Sequence, residues 1–232
     1  MNIYGLQKLT LLDYPGRVAC TLFTGGCDFR CPFCHNALLV TDLDKTAPFS
    51  EADVMDFLAR RRGVLDGVCV TGGEPLLQPD LADFLAQVKA LGYLVKLDTN
   101  GSHPNRLKPL LRSGLVDYVA MDVKNDLAHY AETVGRPLLD LTSIQESIRL
   151  IRESGLEHEF RTTLVQGFHT PERLANIGRM LEGESRYFLQ AFVDSGHLID
   201  PSQKGCSKQE MLDMLAAVRV YIPQAELRGV DI

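Results

Sequence analysis

The sequence predicts an α/β fold built on a parallel sheet, and three observations carry that expectation. Apolar runs of strand length alternate with segments of helical periodicity in six strand-helix units. No internal repeat, low-complexity tract or Pro/Gly/Ser-rich linker divides the 232 residues, so a single domain over 1–232 is expected. Polar turns follow the carboxyl ends of the first four strands, where parallel α/β proteins place their functional groups. Periodicity leaves two forms open, an open doubly wound sheet and a barrel.

The elements follow in order. Residues 17–24 (RVACTLFT) are mostly apolar, and the Gly25-Gly26 pair ends them. Ser50 ahead of Glu51, Asp53 and the apolar Val54, Phe57 and Leu58 predicts a capped helix that reaches the basic run 60–62. A second strand over 66–71 (DGVCVT) runs straight into Gly72-Gly73-Glu74-Pro75. The spacing of Leu81, Phe84, Leu85 and Val88 predicts a helix over 80–91. A third strand, 93–97, ends in Asp98-Thr99-Asn100-Gly101, and Pro104 opens a helix that Gly114 closes. Residues 118–121 form a fourth strand delivering Asp122 and Lys124. Helices over 141–153, 171–181 and 207–220 alternate with strands over 159–165 and 187–193. The least regular stretch, 125–140, is either a mobile loop over a site or a plain connection.

Composition excludes some classes of function. With 30 acidic and 24 basic side chains the formal net charge is -6, so there is no basic field and no nucleic-acid partner is expected. The opening MNIYGLQKLTLLDYPG lacks the apolar core of a signal peptide, and no later run approaches membrane-spanning length. A soluble, cytoplasmic protein with no membrane partner is therefore expected. Six cysteines in such a compartment are ligands or buried thiols more often than disulfides. Cys20 and Cys69 lie in apolar runs and read as core; Cys206, in the polar stretch 203–208, reads as an exposed loop thiol.

The other three thiols, Cys27, Cys31 and Cys34, share one loop after the first strand (GGCDFRCPFCHN, 25–36). Thiolates hold iron-sulfur clusters one per iron, so three on a four-iron cluster would leave one iron open to a non-protein ligand. A zinc site would need a fourth ligand, and the only nearby candidate, His35, is too close to Cys34 for easy chelation. A redox pair would leave Cys27 unexplained. Glycines at 72 and 73 permit close approach of the backbone to a ligand, and Glu74 brings a charge for an ammonium or ribose group. Lys124 is suited to a carboxylate. Arg161 (in FRTTLV) and Gln190 (in FLQAF) are polar interruptions of apolar strands: Arg161 faces the rim or lies on the wet side of a barrel, and Gln190 touches a cofactor or satisfies a core hydrogen bond.

The C-x3-C-x2-C spacing closed by His35 and Asn36 resembles the cluster loop of the radical S-adenosylmethionine enzymes, and the CHN ending resembles their glycyl-radical-enzyme activase branch. The opening Gly5-Leu6-Gln7-Lys8 through Asp13-Tyr14-Pro15-Gly16 resembles the activating proteins of anaerobic ribonucleoside-triphosphate reductase. The resemblance implies a partial (β/α)6 TIM-like barrel and a 4Fe-4S cluster on Cys27, Cys31 and Cys34. It implies reductive cleavage of S-adenosylmethionine to methionine and a 5'-deoxyadenosyl radical, which abstracts hydrogen from a glycine of the partner, with electrons from a flavodoxin or ferredoxin-type donor. It assigns the methionine amino group to Gly72, Gly73 and Glu74. By similarity to pyruvate formate-lyase activase, it places Asp98, Thr99 and Asp122 around a monovalent cation and Lys124 on the cofactor's carboxylate. Asn100 shares that turn, Phe33 is placed to lean on the adenine with His35 nearby, and Gln190 stands where that activase carries a histidine. A radical enzyme acting on a small molecule, of the deazaguanine-forming carboxylate synthase kind, and an iron-sulfur or zinc module without turnover remain the alternatives.

Overall fold

The computed structural model describes residues 1–45, 47–184 and 186–230. Among these described residues eight strands and eight α-helices follow one another. They are β1 (Ile3–Thr10), β2 (Ala19–Thr24), α1 (Leu38–Thr41), α2 (Glu51–Arg60), β3 (Gly67–Gly72), α3 (Leu81–Ala90), β4 (Leu94–Thr99), α4 (Pro104–Arg112), β5 (Tyr118–Asp122) and α5 (Tyr130–Thr133). The remainder are α6 (Leu141–Glu153), β6 (Glu157–Leu164), α7 (Pro171–Met180), β7 (Tyr187–Ala191), α8 (Lys208–Arg219) and β8 (Glu226–Arg228). Each of the six strands expected from the sequence is present. β1 and β8 are additional: β1 pairs antiparallel with β2, and β8 is a three-residue strand beside β7.

The chain divides into two compact units. The first comprises Met1–Asp28, Leu38–Ala120 and Thr142–His158; the second comprises Phe29–Ala37, Met121–Leu141 and the chain from Glu159 onward. In the first, β2, β3 and β4 run parallel, with Thr24 opposite Gly72 and Val70 opposite Leu97. Cys20, Leu22, Val68, Val70, Val95 and Leu97 are fully buried, as strands covered on both faces require. This register brings the carboxyl ends of β2 and β3 side by side, which sets the Gly25-Gly26 loop against the turn after Gly72. Tyr14, Ala19, Tyr118 and Ala120 form a core cluster at the other end of the strands, the two tyrosine rings 5.8 Å apart.

In the second unit β6, β7 and β8 run parallel, Arg161 opposite Phe188 and Gln190 opposite both Thr163 and Arg228. Residues 125–135 form a tied connection. Asn125 Nδ2 donates to Thr133 Oγ1 and to the Phe168 carbonyl, both at 2.9 Å, and Asn176 Nδ2 donates to Asp126 at 2.8 Å. Cys206 is half-buried rather than exposed, because Gln166 N–H donates to the Lys204 carbonyl and Val165 bridges Gly205, drawing its loop onto the end of β6. Among the described residues no helix is long and apolar enough to cross a membrane.

Candidate cofactor site

In the first unit the glycines of the Gly72–Glu74 turn permit an approach to the protein's own backbone. A Cβ on Gly73 would stand 1.9 Å from the Gly26 carbonyl oxygen, and one on Gly72, at φ +119, would stand 2.3 Å from Thr24 N. Gly73 N–H donates to the Thr24 carbonyl and Glu74 N–H to that of Gly26, at 2.9 and 2.8 Å. The turn is thereby docked on the residue before Cys27. Gln78 braces the same loop, donating from Nε2 to the Gly25 carbonyl at 2.9 Å and accepting from Asn2 N–H at 3.1 Å.

Glu74 is fully buried. Its Oε1 accepts from Thr99 Oγ1 at 2.9 Å and Leu76 N–H at 3.0 Å, and Oε2 accepts from Asn100 N–H at 2.7 Å. Three donors on a group with about four acceptor positions leave one for a ligand. Burial pushes its carboxyl up to about 7 against the pull of those hydrogen bonds. Asn100 Nδ2 donates to Asp28 Oδ1 at 3.1 Å and lies 3.7 Å from Cys27 Sγ. Burial would raise Asp28, but hydrogen bonds from His103 and Asn100 outweigh it and hold the carboxyl down at about 2. Asp98 is ion-paired with Lys96 two residues earlier on the same face of β4, and Cys69 Sγ is 3.8 Å from it. Lys96, 1% exposed and 5.9 Å from the Tyr118 ring centroid, is a buried cation that strand periodicity had passed over.

In the second unit Asp122, at the end of β5, accepts from Arg161 Nε at 3.0 Å on Oδ1 and from Lys124 Nζ at 3.1 Å on Oδ2. Burial alone would raise the Asp122 carboxyl; the charges of Arg161 and Lys124 prevail and hold it below the usual carboxylate range. Burial would lower Lys124, but Asp122 and then the Cys31 sulfur keep it raised. His169 accepts from Val165 N–H at Nδ1 (3.0 Å) and lies 2.9 Å through Nε2 from the Lys124 carbonyl, so it fixes this turn from behind. Arg161 thus stands against Asp122, at the end of β5. Phe33 is buried against Phe168 and His169, with ring centroids 5.6 and 6.4 Å away. His35 is exposed and stacks on Phe192 at 5.3 Å.

The donor set fits an iron-sulfur cluster. Among the described residues no two cysteines are joined by a disulfide, and soft thiolates are the ligands such clusters select. Burial pushes the Cys31 thiol up to about 12 and raises Cys34 as well, a cost that coordination to iron removes by deprotonating the sulfur. Among the described residues no three His, Cys, Asp or Glu side chains gather as a single-ion site; a cluster asks instead for one thiolate per iron.

Residues 21–181 match the Radical SAM superfamily. A protein of Methanocaldococcus jannaschii assigned as a glycyl-radical enzyme activating enzyme is 32% identical over 197 residues, 82% of this chain and 79% of that one. The pyruvate formate-lyase-activating enzyme of Clostridium pasteurianum is 27% identical over 220 residues, 92% of this chain and 87% of its own. A radical SAM methyltransferase from Sphaerobacter thermophilus, 17% identical, has a TM-score of 0.71 over 95% of this chain and 68% of its own, a likeness that shows the fold alone. Since the family match takes in the cysteine loop and every strand from β3 to β6, and the first relative aligns over most of both chains, the chain belongs to the radical SAM superfamily and, within it, to the glycyl-radical enzyme activating branch.

Proposed function

We propose that this activating enzyme serves anaerobic ribonucleoside-triphosphate reductase, generating the glycyl radical on that partner with electrons from a flavodoxin or ferredoxin-type donor in the cytoplasm. As a radical SAM protein it works with a 4Fe-4S cluster and S-adenosylmethionine. Support for this partner comes from the opening segment, 5–16, whose pattern is similar to the activating proteins of that reductase. Cys27, Cys31 and Cys34 would hold the cluster, which would supply the single electron for reductive cleavage of S-adenosylmethionine.

The chain's own residues bind and orient. Glu74 offers its remaining acceptor position to the ligand's ammonium, with Gly72 and Gly73 keeping that turn on the cysteine loop. Lys124, aligned by Asp122 and Arg161, donates to the ligand's carboxylate. Asn100 donates toward Cys27 and Thr99 holds Glu74. Phe33 and His35, on the cysteine loop, are assigned to the adenine side, and Gln190 to a further polar contact. At Asp98 the Lys96 ammonium stands where the resemblance implies a monovalent cation, and no free cation is assigned there. The observation that carries the binding roles is the pair of strand-end carboxylates, one set for an ammonium and one backing a lysine. The test is anaerobic: protein reconstituted with iron and sulfide, reduced, and mixed with S-adenosylmethionine and the reductase should give a glycyl-radical signal by electron spin resonance. A radical on a different glycyl radical enzyme and none on the reductase overturns the choice of partner.

A further inference from the structure

Glu159 and Arg228 take no part in the roles assigned above, yet they terminate an ordered row of charges. Glu159, on β6, is 1% exposed and lies two residues before Arg161 on the same strand face. Arg228, on β8, grips it with both terminal nitrogens, Nη1 to Oε1 at 3.1 Å and Nη2 to Oε2 at 2.9 Å. The Arg228 guanidinium also lies 3.3 Å from the Phe188 ring centroid. Arg161 Nη1 stands farther from Glu159 Oε1, at 3.8 Å, while its Nε donates to Asp122 at 3.0 Å and Asp122 accepts from Lys124 at 3.1 Å. The row therefore reads Arg228, Glu159, Arg161, Asp122, Lys124, with positive and negative groups alternating along it.

We infer that Glu159 and Arg228 are positioning residues for the ligand's carboxylate, acting through Arg161 and Asp122 on Lys124. The inference rests on the reading that Lys124 receives that carboxylate. A guanidinium fork that meets both oxygens of a carboxylate neutralises its charge and fixes its orientation, which weakens its pull on a second arginine. Arg228 thus keeps Glu159 from drawing Arg161 off Asp122. With Arg161 in place, Asp122 is shared between two cations, and the Lys124 ammonium, which has three donors, keeps N–H groups for a ligand. Without Arg228, buried Glu159 takes Arg161 for itself, and Asp122 then holds Lys124 alone. Without Glu159, Arg228 and Arg161 repel across the strand.

The test uses cluster-reconstituted protein and equilibrium dialysis against two probes, S-adenosylmethionine and its decarboxylated analogue. R228M and E159Q should each raise Kd for S-adenosylmethionine by about tenfold or more and change Kd for the analogue by less than about twofold. In E159Q/R228M neither repulsion nor capture of Arg161 remains, so Kd for S-adenosylmethionine should return to within about threefold of the unsubstituted protein. R228K, which keeps the charge without the fork, should fall between the unsubstituted protein and R228M, and it stands in should R228M not fold. Equal weakening toward both probes marks a merely structural role and overturns the inference, as does no weakening or an additive double variant. If the unsubstituted protein binds S-adenosylmethionine no better than the analogue, the reading of Lys124 itself fails, a result distinct from the other three.

Discussion

Glu74 and Asp122 are both carboxylates placed at or just beyond strand ends and burial raises both, yet their neighbours leave them shifted in opposite directions. Glu74 is surrounded by neutral donors, two backbone N–H groups and a hydroxyl, and its carboxyl is pushed up to about 7. Asp122 is flanked by Arg161 and Lys124 and lies below the usual carboxylate range. Neutral hydrogen bonds offset only part of the desolvation of a charge, whereas two adjacent cations more than offset it. The first region is therefore shaped by close backbone packing and responds to protons; the second is shaped by ion pairs and does not. An ammonium ligand suits the first, since it supplies the missing positive charge, and a carboxylate ligand suits the second.

The largest effect should come from breaking the packed region. In Gly73→Ala the added methyl meets a backbone oxygen at 1.9 Å, which no rotamer change relieves. Overpacking of this kind costs about 1–3 kcal/mol, and here it falls on the loop carrying Cys27. Iron bound after reconstitution should drop below about half of the unsubstituted level, with a lower melting temperature by about 4 °C or more. Full iron loading in Gly73→Ala would mean that the docked turn is dispensable. On the charged side, Lys124→Met should leave iron loading intact and weaken S-adenosylmethionine binding about 10- to 100-fold, the range for loss of a hydrogen bond between charged partners. The two variants thus separate cluster binding from ligand binding, and loss of both properties in both variants would erase the contrast.

pH sharpens the contrast with a smaller effect. A folded-state value of about 7 against an ordinary 4.5 means that the cofactor-free chain holds the Glu74 proton more tightly than the unfolded chain does. The stabilisation is fully present below pH 4.5 and is lost as pH rises to about 7, with an upper bound of about 3 kcal/mol. An ammonium ligand favours the ionised form, so binding of S-adenosylmethionine should release a proton below pH 7 and tighten severalfold between pH 6 and pH 8. Glu74→Gln should abolish that dependence, whereas Asp122→Asn should weaken binding at every pH alike. Isothermal titration in buffers of different ionisation enthalpy reads the proton directly. A pH-independent affinity in the unsubstituted protein would show that the ammonium does not meet Glu74.

Much of this was legible in the sequence because the signals are local. The three thiols announce themselves by spacing, and VCVTGGEP shows at once a buried strand and the turn that must follow it. Arg161 was found because a charge inside FRTTLV breaks an apolar pattern. The same rule marks Lys96 within VKLDT, where the polar strand end at Asp98 masks the interruption. The pairing of Glu159 with Arg228 bridges a separation of 69 residues and leaves no local trace. β8 has three residues, too few for a period, and β1 has only its first and last residues buried, so neither shows the apolar run that marks the parallel strands. The purpose of Gly73 was also only half visible: close approach could be inferred, but that the approaching group is the Gly26 carbonyl depends on the β2–β3 register.

Lys96 gives the smallest and most diagnostic test of how the first region keeps its charge balance. Its ammonium occupies Asp98 at 1% exposure, above the Tyr118 ring and beside Cys69, so the strand carries its own counter-ion where a dissolved monovalent cation could otherwise bind. An internal ion of this kind leaves no reason for potassium or sodium to matter, because a free cation would have to displace a tethered one at a carboxylate already satisfied. S-adenosylmethionine binding should therefore be the same in potassium and in tetramethylammonium buffers within about twofold. Lys96→Met leaves Asp98 buried without a cation, and its cofactor-free form should melt several degrees higher in potassium than in tetramethylammonium, as expected when an ion binds only the folded state. A strong potassium requirement in the unsubstituted protein would place a free ion beside Asp98 despite Lys96. The two buried carboxylates of this region would then differ in kind, Glu74 held by neutral donors and Asp98 by an exchangeable ion.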